Sequence, residues 1–262
     1  MEPSGEIAEQ SPAPPLPRQR RFLAYHKHDR SFFLLFLGLC WLGVLMGFVP
    51  AVMKRHAGHA DYPAPLILEI HAVAFSAWMI LLTVQIALIR TRRPLVHMRL
   101  GFVGMALVPL MSVTGFLAEV YSQNFRFRHP PNSQAFFIIA IYYVVAFTIL
   151  ASLALAVRKN PGAHKRLILL ATSVIVGAAY GRWWGTPIYN VVGDGFVGMI
   201  ANTYAGAEML MLVAVAYDLW TRGRLHRVYE LAVPAILLGQ LATSFIYHSP
   251  RWLPIARLVI NQ

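Results

Sequence analysis

Seven predominantly apolar blocks, separated by polar or charged turns, run through the chain at 31–49, 65–89, 100–120, 135–157, 167–182, 195–220 and 229–247. A helix of about 20 residues, rising about 1.5 Å per residue, crosses a hydrocarbon core of about 30 Å. Most blocks have that length; the fifth is the shortest. Lipid offers no water to satisfy backbone groups, so a span must be a helix, or else part of a closed barrel built of shorter, alternating segments. The pattern predicts an all-α polytopic bundle of seven transmembrane helices at 31–248, with a short interfacial tail at 249–262. Residues 1–30, with Pro12, Pro14, Pro15 and Pro17 ahead of Arg18, Arg20 and Arg21, read as a disordered basic leader. The apolar run that follows is too long for the core of a signal peptide.

Composition agrees with this reading. Of 262 residues, 57% are hydrophobic and 13% charged, against about 25% charged in soluble domains. A net charge of +12 would suggest nucleic acid in a soluble protein, but its distribution points elsewhere. Alternate turns hold Arg18, Arg20, Arg21, Lys27 and Arg30; Arg90, Arg92, Arg93 and Arg99; Arg158, Lys159, Lys165 and Arg166; Arg222, Arg224 and Arg227. That places sixteen of the 23 Lys and Arg on one side and seven on the other. Short cytoplasmic loops retain positive charge, so the basic side is read as cytoplasm, the N-terminus as inside and the C-terminus as outside. The excess charge is then an orientation signal with attraction to anionic lipid, not a nucleic-acid footprint. Trp183, Trp184, Tyr189 and Trp252 fall at the outer boundary and Trp220 at the inner one, as interfacial aromatics do. The single cysteine, Cys40, excludes a disulfide framework. Gly43 with Gly47, and Gly177 with Gly181, stand at helical spacing suited to close helix approach.

Candidate chemistry is sparse. His71, Trp78 and Gln85 recur every seven residues along one helix face. His71 reads equally as a neutral interhelical donor or as a ligand, and His248 lies where it would make a weaker outer partner. Glu208 falls mid-span, with Tyr204 a turn away and Gln240 on the next helix. An intramembrane carboxyl is either a proton or ion site or a protonated structural residue. The inner turns repeat a histidine: His28-Asp29-Arg30, His97-Met98-Arg99, His164-Lys165-Arg166 and His226-Arg227, spaced 69, 67 and 62 residues apart. Basic residues there are expected; the histidines are not. Arg99, Lys165, Arg166, Asp218, Arg222 and His226 form a candidate anion, lipid or partner contact, and His97 with His164 a candidate axial pair for haem b. His56 and His59, three apart in a loop, are a weak metal signal and no metal site is assigned. No phosphate-binding loop, dinucleotide turn, zincin helix or nucleophile elbow is present.

The segments His97-Met98-Arg99-Leu100-Gly101, His164-Lys165-Arg166-Leu167-Ile168-Leu169-Leu170-Ala171-Thr172 and Tyr217-Asp218-Leu219-Trp220-Thr221-Arg222-Gly223-Arg224-Leu225-His226 resemble a family of uncharacterised bacterial seven-helix inner-membrane proteins. The resemblance implies a bacterial inner membrane and seven helices; that family has no assigned activity. Met98 departs from its pattern of a second basic residue. More distantly, dihaem b-type cytochromes pair histidines across four helices, and His97 with His164 resembles one such pair. Three functional expectations follow: a non-catalytic accessory or lipid-contacting component, a haem-binding redox protein, and a small proton-coupled carrier using Glu208.

Overall fold

The computed structural model describes residues 22–60, 63–128, 134–193 and 195–260. Its elements are α1 (Asp29–His56), α2 (Leu66–Arg90), α3 (Pro94–Arg128), a 3-10 turn (Gln134–Phe136), α4 (Phe137–Ala156), α5 (Pro161–Val192), α6 (Phe196–Arg222), α7 (Arg227–Tyr247) and α8 (Trp252–Ile260). Seven of these helices are long and apolar enough to cross a membrane, and no strand occurs among the described residues. The chain is an all-α, multi-pass membrane protein. Large apolar side chains such as Val73, Phe102, Leu212 and Leu238 point outward, as lipid contact requires.

Local chemistry sets the helix ends. Asn160 accepts a hydrogen bond from the Ala163 amide at 3.2 Å, and Pro161 follows as the first helical residue, so α5 starts there. Gly223, at φ 65°, closes α6 in the left-handed conformation.

The fifth span corrects the sequence expectation. Instead of the shortest segment, 167–182, α5 has 32 residues. It is the central helix: 67% of its most apolar window is buried in protein, against 22–39% for the other six. Hydropathy finds segments that face lipid, whereas α5 faces other helices and so accommodates Arg166, Thr172 and Ser173 inside the bundle. Trp78 Nε1 donates to Thr172 Oγ1 at 3.3 Å and Tyr180 Oη to the Leu39 carbonyl at 2.8 Å, tying α2 and α1 to it.

Glycines set the closest approaches. A Cβ on Gly47 would stand 2.3 Å from the Ala179 carbonyl oxygen, one on Gly177 2.7 Å from Ala207 Cβ, and one on Gly206 2.1 Å from Tyr180 Cβ. Helices α1, α5 and α6 thus meet backbone to backbone, which supplies dispersion contact where lipid gives no hydrophobic drive.

Two terminal segments flank the bundle. The proline and arginine run of the leader, up to residue 21, lies outside the described residues. Residues 22–28, assigned by composition to the same leader, lie against the bundle. In the tail, Ala256 and Ile260 of α8 pack on Phe137, and Trp252 Nε1 donates to the Ala135 carbonyl at 2.9 Å. The tail is a docked helix.

Candidate functional site

The starts of α1, α3, α5 and α7 and the ends of α2, α4 and α6 share one end of the bundle, the basic end. Five charged side chains interlock there. Arg166 forks onto Asp218, Nε to Oδ2 and Nη2 to Oδ1, both at 2.6 Å, and Nη1 donates to the Gly162 carbonyl at 2.7 Å. Arg222 donates to Asp29 at 3.0 and 3.3 Å, to Asp218 at 3.4 Å and to the Leu23 carbonyl at 2.9 Å. Lys165 Nζ reaches Asp29 at 2.8 Å and the Ala24 carbonyl at 2.5 Å, and Tyr217 Oη donates to Asp29 at 2.6 Å. The Phe22 ring lies 4.5 Å from the Arg166 guanidinium carbon. The two arginine side chains and Asp218 are 2–3% exposed.

Three cations against two carboxylates leave one net positive charge, and nearly every donor is used internally. Burying such charges is tolerable only when each is paired and hydrogen-bonded. The network is a latch that fastens 22–29 onto α5 and α6. Lys165, Arg166, Asp218 and Arg222, expected to meet an external anion, are drawn together but face one another; Arg99 is exposed on α3, outside the latch.

The four repeated histidines do not converge. His28 stacks on Trp220 with ring centroids 5.3 Å apart. His164 Nδ1 lies 2.8 Å from the Ala154 carbonyl, satisfying one of the last carbonyls of α4. His97 and His164 face each other with centroids 6.4 Å apart and planes at 84°, and Gln85 Nε2 donates to the His97 carbonyl at 3.2 Å. His97 Nδ1 and Gln85 Oε1 are buried without a partner among the described residues.

His226 caps α7: its Nδ1 accepts from the Val228 amide at 3.1 Å, which needs the unprotonated ring. Burial, and then the neighbouring Arg166 charge, depress its pKa from 6.5 to about 4. A base depressed on folding contributes stability that is complete above the unfolded pKa of 6.5 and is lost as pH falls toward 4. The His226→Asn variant, retaining a good cap without a titrating ring, is therefore expected to lose less thermal stability than the parent between pH 7 and pH 4.5. Parallel pH profiles would remove His226 as the cause.

A second polar cluster lies within the membrane-spanning region. Glu208 is twelve residues into α6, about 18 Å from its start. The Tyr204 ring, one turn earlier on α6, packs on those of Tyr142 and Tyr143. Tyr142 donates to the Ile236 carbonyl at 2.8 Å and Tyr143 to the Thr203 carbonyl at 2.6 Å. The Tyr204 hydroxyl lies beside that of Thr243, and Gln240 Nε2 is buried without a partner among the described residues, an unmade bond costing about 1–3 kcal/mol. Elsewhere, the His71 ring packs on Phe75 and faces Gly115 of α3. His248 is exposed at the end of α7, its Nδ1 2.8 Å from the Ser244 carbonyl. Among the described residues no group of three or more His, Cys, Asp or Glu is placed to hold a metal ion.

No protein-family model, curated protein or solved structure matches the chain. Asp29 and Tyr217 were not singled out as site residues by the sequence reading. A signal for Asp29 existed, because a lone carboxylate inside an arginine-rich, orientation-setting segment needs an internal cation to justify it.

Proposed function

We propose that this multi-pass membrane protein is a non-catalytic component of a bacterial inner membrane, with its basic end in the cytoplasm in contact with anionic phospholipid headgroups. The carrying observation is a division of labour among the cations. Lys165, Arg166 and Arg222 are consumed by the latch, whereas Lys27, Arg30, Arg92, Arg93, Arg99, Arg158, Lys159 and Arg227 are exposed. Among the described residues Glu230 is the one exposed carboxylate at that end. Each exposed cation near an anionic surface is worth about 1 kcal/mol. Beside the latch, an apolar groove of about 440 Å³ between α1 and α6, lined by His28, Phe32, Tyr217 and Trp220, suits an acyl chain.

In nanodiscs at low salt, thermal unfolding is expected several degrees higher in phosphatidylglycerol than in phosphatidylcholine. High salt should shrink the gap, and the combined Arg92→Gln, Arg93→Gln, Arg99→Gln variant should narrow it. Equal midpoints in the two lipids would sink the reading.

A second reading is haem b held between His97 and His164, whose rings stand 6.4 Å apart. Two imidazoles bonded to one metal at about 2.0 Å each set ring centroids roughly 6 Å apart, close to the 6.4 Å seen. The His164 Nδ1 contact to a carbonyl is the outer-shell bond that orients such a ligand; His97 lacks it. This reading predicts a Soret band in purified protein that His97→Ala abolishes, and colourless folded protein would eliminate it.

A further inference from the structure

Two helix faces build the groove beside the latch. From α1 come Phe32 and Leu35, with His28 and Ser31 ahead of them; from α6 come Val213, Ala216, Tyr217 and Trp220. Both sets follow the three- and four-residue spacing of one helix face. Helix α1 leaves the basic end and α6 returns to it, so His28, Ser31 and Trp220 stand at that end while Leu35 and Val213 lie deeper. Seven residues separate Val213 from Trp220, about 10 Å along the helix. The walls are fixed in advance: the Phe32 and Tyr217 rings stack with centroids 3.8 Å apart, the Tyr217 hydroxyl is tied to Asp29, and His28 stacks on Trp220.

The latch also sorts the charges at the mouth of this groove. Asp29, the acidic residue in the first turn of α1, is turned inward and takes donors from Lys165, Tyr217 and Arg222. Its neighbours Lys27 and Arg30 stay exposed. The His28 ring and the Ser31 hydroxyl, which line the groove, have no hydrogen-bond partner among the described residues. Cations and unspent donors beside an apolar slot complement an anionic head carried on a hydrocarbon tail.

We infer that the groove holds one molecule of an anionic phospholipid, with an acyl chain between the two faces and the phosphate against His28 and Ser31, near the Lys27 and Arg30 charges. This rests on the proposed contact of the basic end with anionic headgroups and gives that contact a defined site. The cavity of about 440 Å³ falls within the range of about 300–1,000 Å³ usual for small-molecule sites. Lipid tails are as apolar as the groove, so burial by itself gives no preference for it over the bilayer. Retention comes from dispersion contact with aromatic walls that need little further ordering, and from charge-assisted bonds to the phosphate. A zwitterionic head brings a quaternary ammonium toward Lys27 and Arg30 and forfeits part of that attraction.

Native mass spectrometry of the full-length protein, titrated in detergent with phosphatidylglycerol or phosphatidylcholine, tests the site. The first phosphatidylglycerol is expected to bind about tenfold tighter than the first phosphatidylcholine, a ratio that one or two nearby cations supply. Ala216→Trp, which fills the groove from an exposed position on α6, should abolish that preference, whereas Leu212→Trp, exposed on α6 but not lining the groove, should keep it. The nanodisc comparison separates this site from general headgroup contact. Ala216→Trp should leave most of the stability gap between the two lipids in place, and the combined Arg92→Gln, Arg93→Gln, Arg99→Gln variant should narrow the gap yet retain the tightly bound molecule. Equal affinities for the two lipids in the unaltered protein, or a first phosphatidylglycerol held as tightly by Ala216→Trp as by the parent, would overturn the site even with the nanodisc gap intact.

Discussion

Asp218→Ala is expected to destabilise the bundle by about 3–5 kcal/mol, the loss typical of stripping one partner from a buried ion pair. The substitution leaves the Arg166 guanidinium, 2% exposed, without the carboxylate that takes two of its donors at 2.6 Å, and it also withdraws an Arg222 partner. The penalty is chiefly the uncompensated charge, not the missing attraction, which gives the prediction a second arm. Arg166→Met combined with Asp218→Leu removes both charges and should recover most of the loss. Unfolding in a detergent mixture titrated with SDS measures both. A single variant within about 1 kcal/mol of the parent would mean that water reaches the latch and that burial of the pair is overstated.

Gly206→Val should rank as the other severe change. Its Cβ would fall 2.1 Å from Tyr180 Cβ, an atom fixed to the α5 backbone, so the two helices must part. Overpacking of this kind costs typically about 1–3 kcal/mol or more, and here it strikes the α5 to α6 contact on which the core is built. The series has an internal order. Gly47→Ala meets a backbone carbonyl at 2.3 Å, and Gly43→Ala meets at 2.4 Å the Tyr180 ring, buried and held by its bond to the Leu39 carbonyl, so both should cost much. Gly38→Ala meets nothing within 4 Å and should be neutral or stabilising by up to about 1 kcal/mol. Thermal midpoints in one detergent settle the order, and a neutral Gly206→Val would refute the close approach.

The latch also shows why sequence reasoning grouped the right residues for a different purpose. Lys165, Arg166, Asp218 and Arg222 were drawn together, with Arg99 and His226, as a candidate anion, lipid or partner contact because loop cations accumulate at one end of any such bundle. Pairing is a property of geometry. Asp29 on α1 and Asp218 on α6 lie 189 positions apart in the chain, and no periodicity reveals that Arg222 bridges both. The repeated histidine behaves likewise: one spacing pattern resolves into a cap on α7, a carbonyl partner at the end of α4, a stack on Trp220 and a ring facing another ring.

Helix number, helical class and the clustering of basic turns were determined by the chain alone, because span length and backbone satisfaction in lipid are local demands written in runs of apolar residues. Which helix is central and which cations are paired inside were decided only by tertiary packing. Those depend on what each side chain meets across the bundle, and a buried helix such as α5 escapes hydropathy because its neighbours are protein rather than lipid.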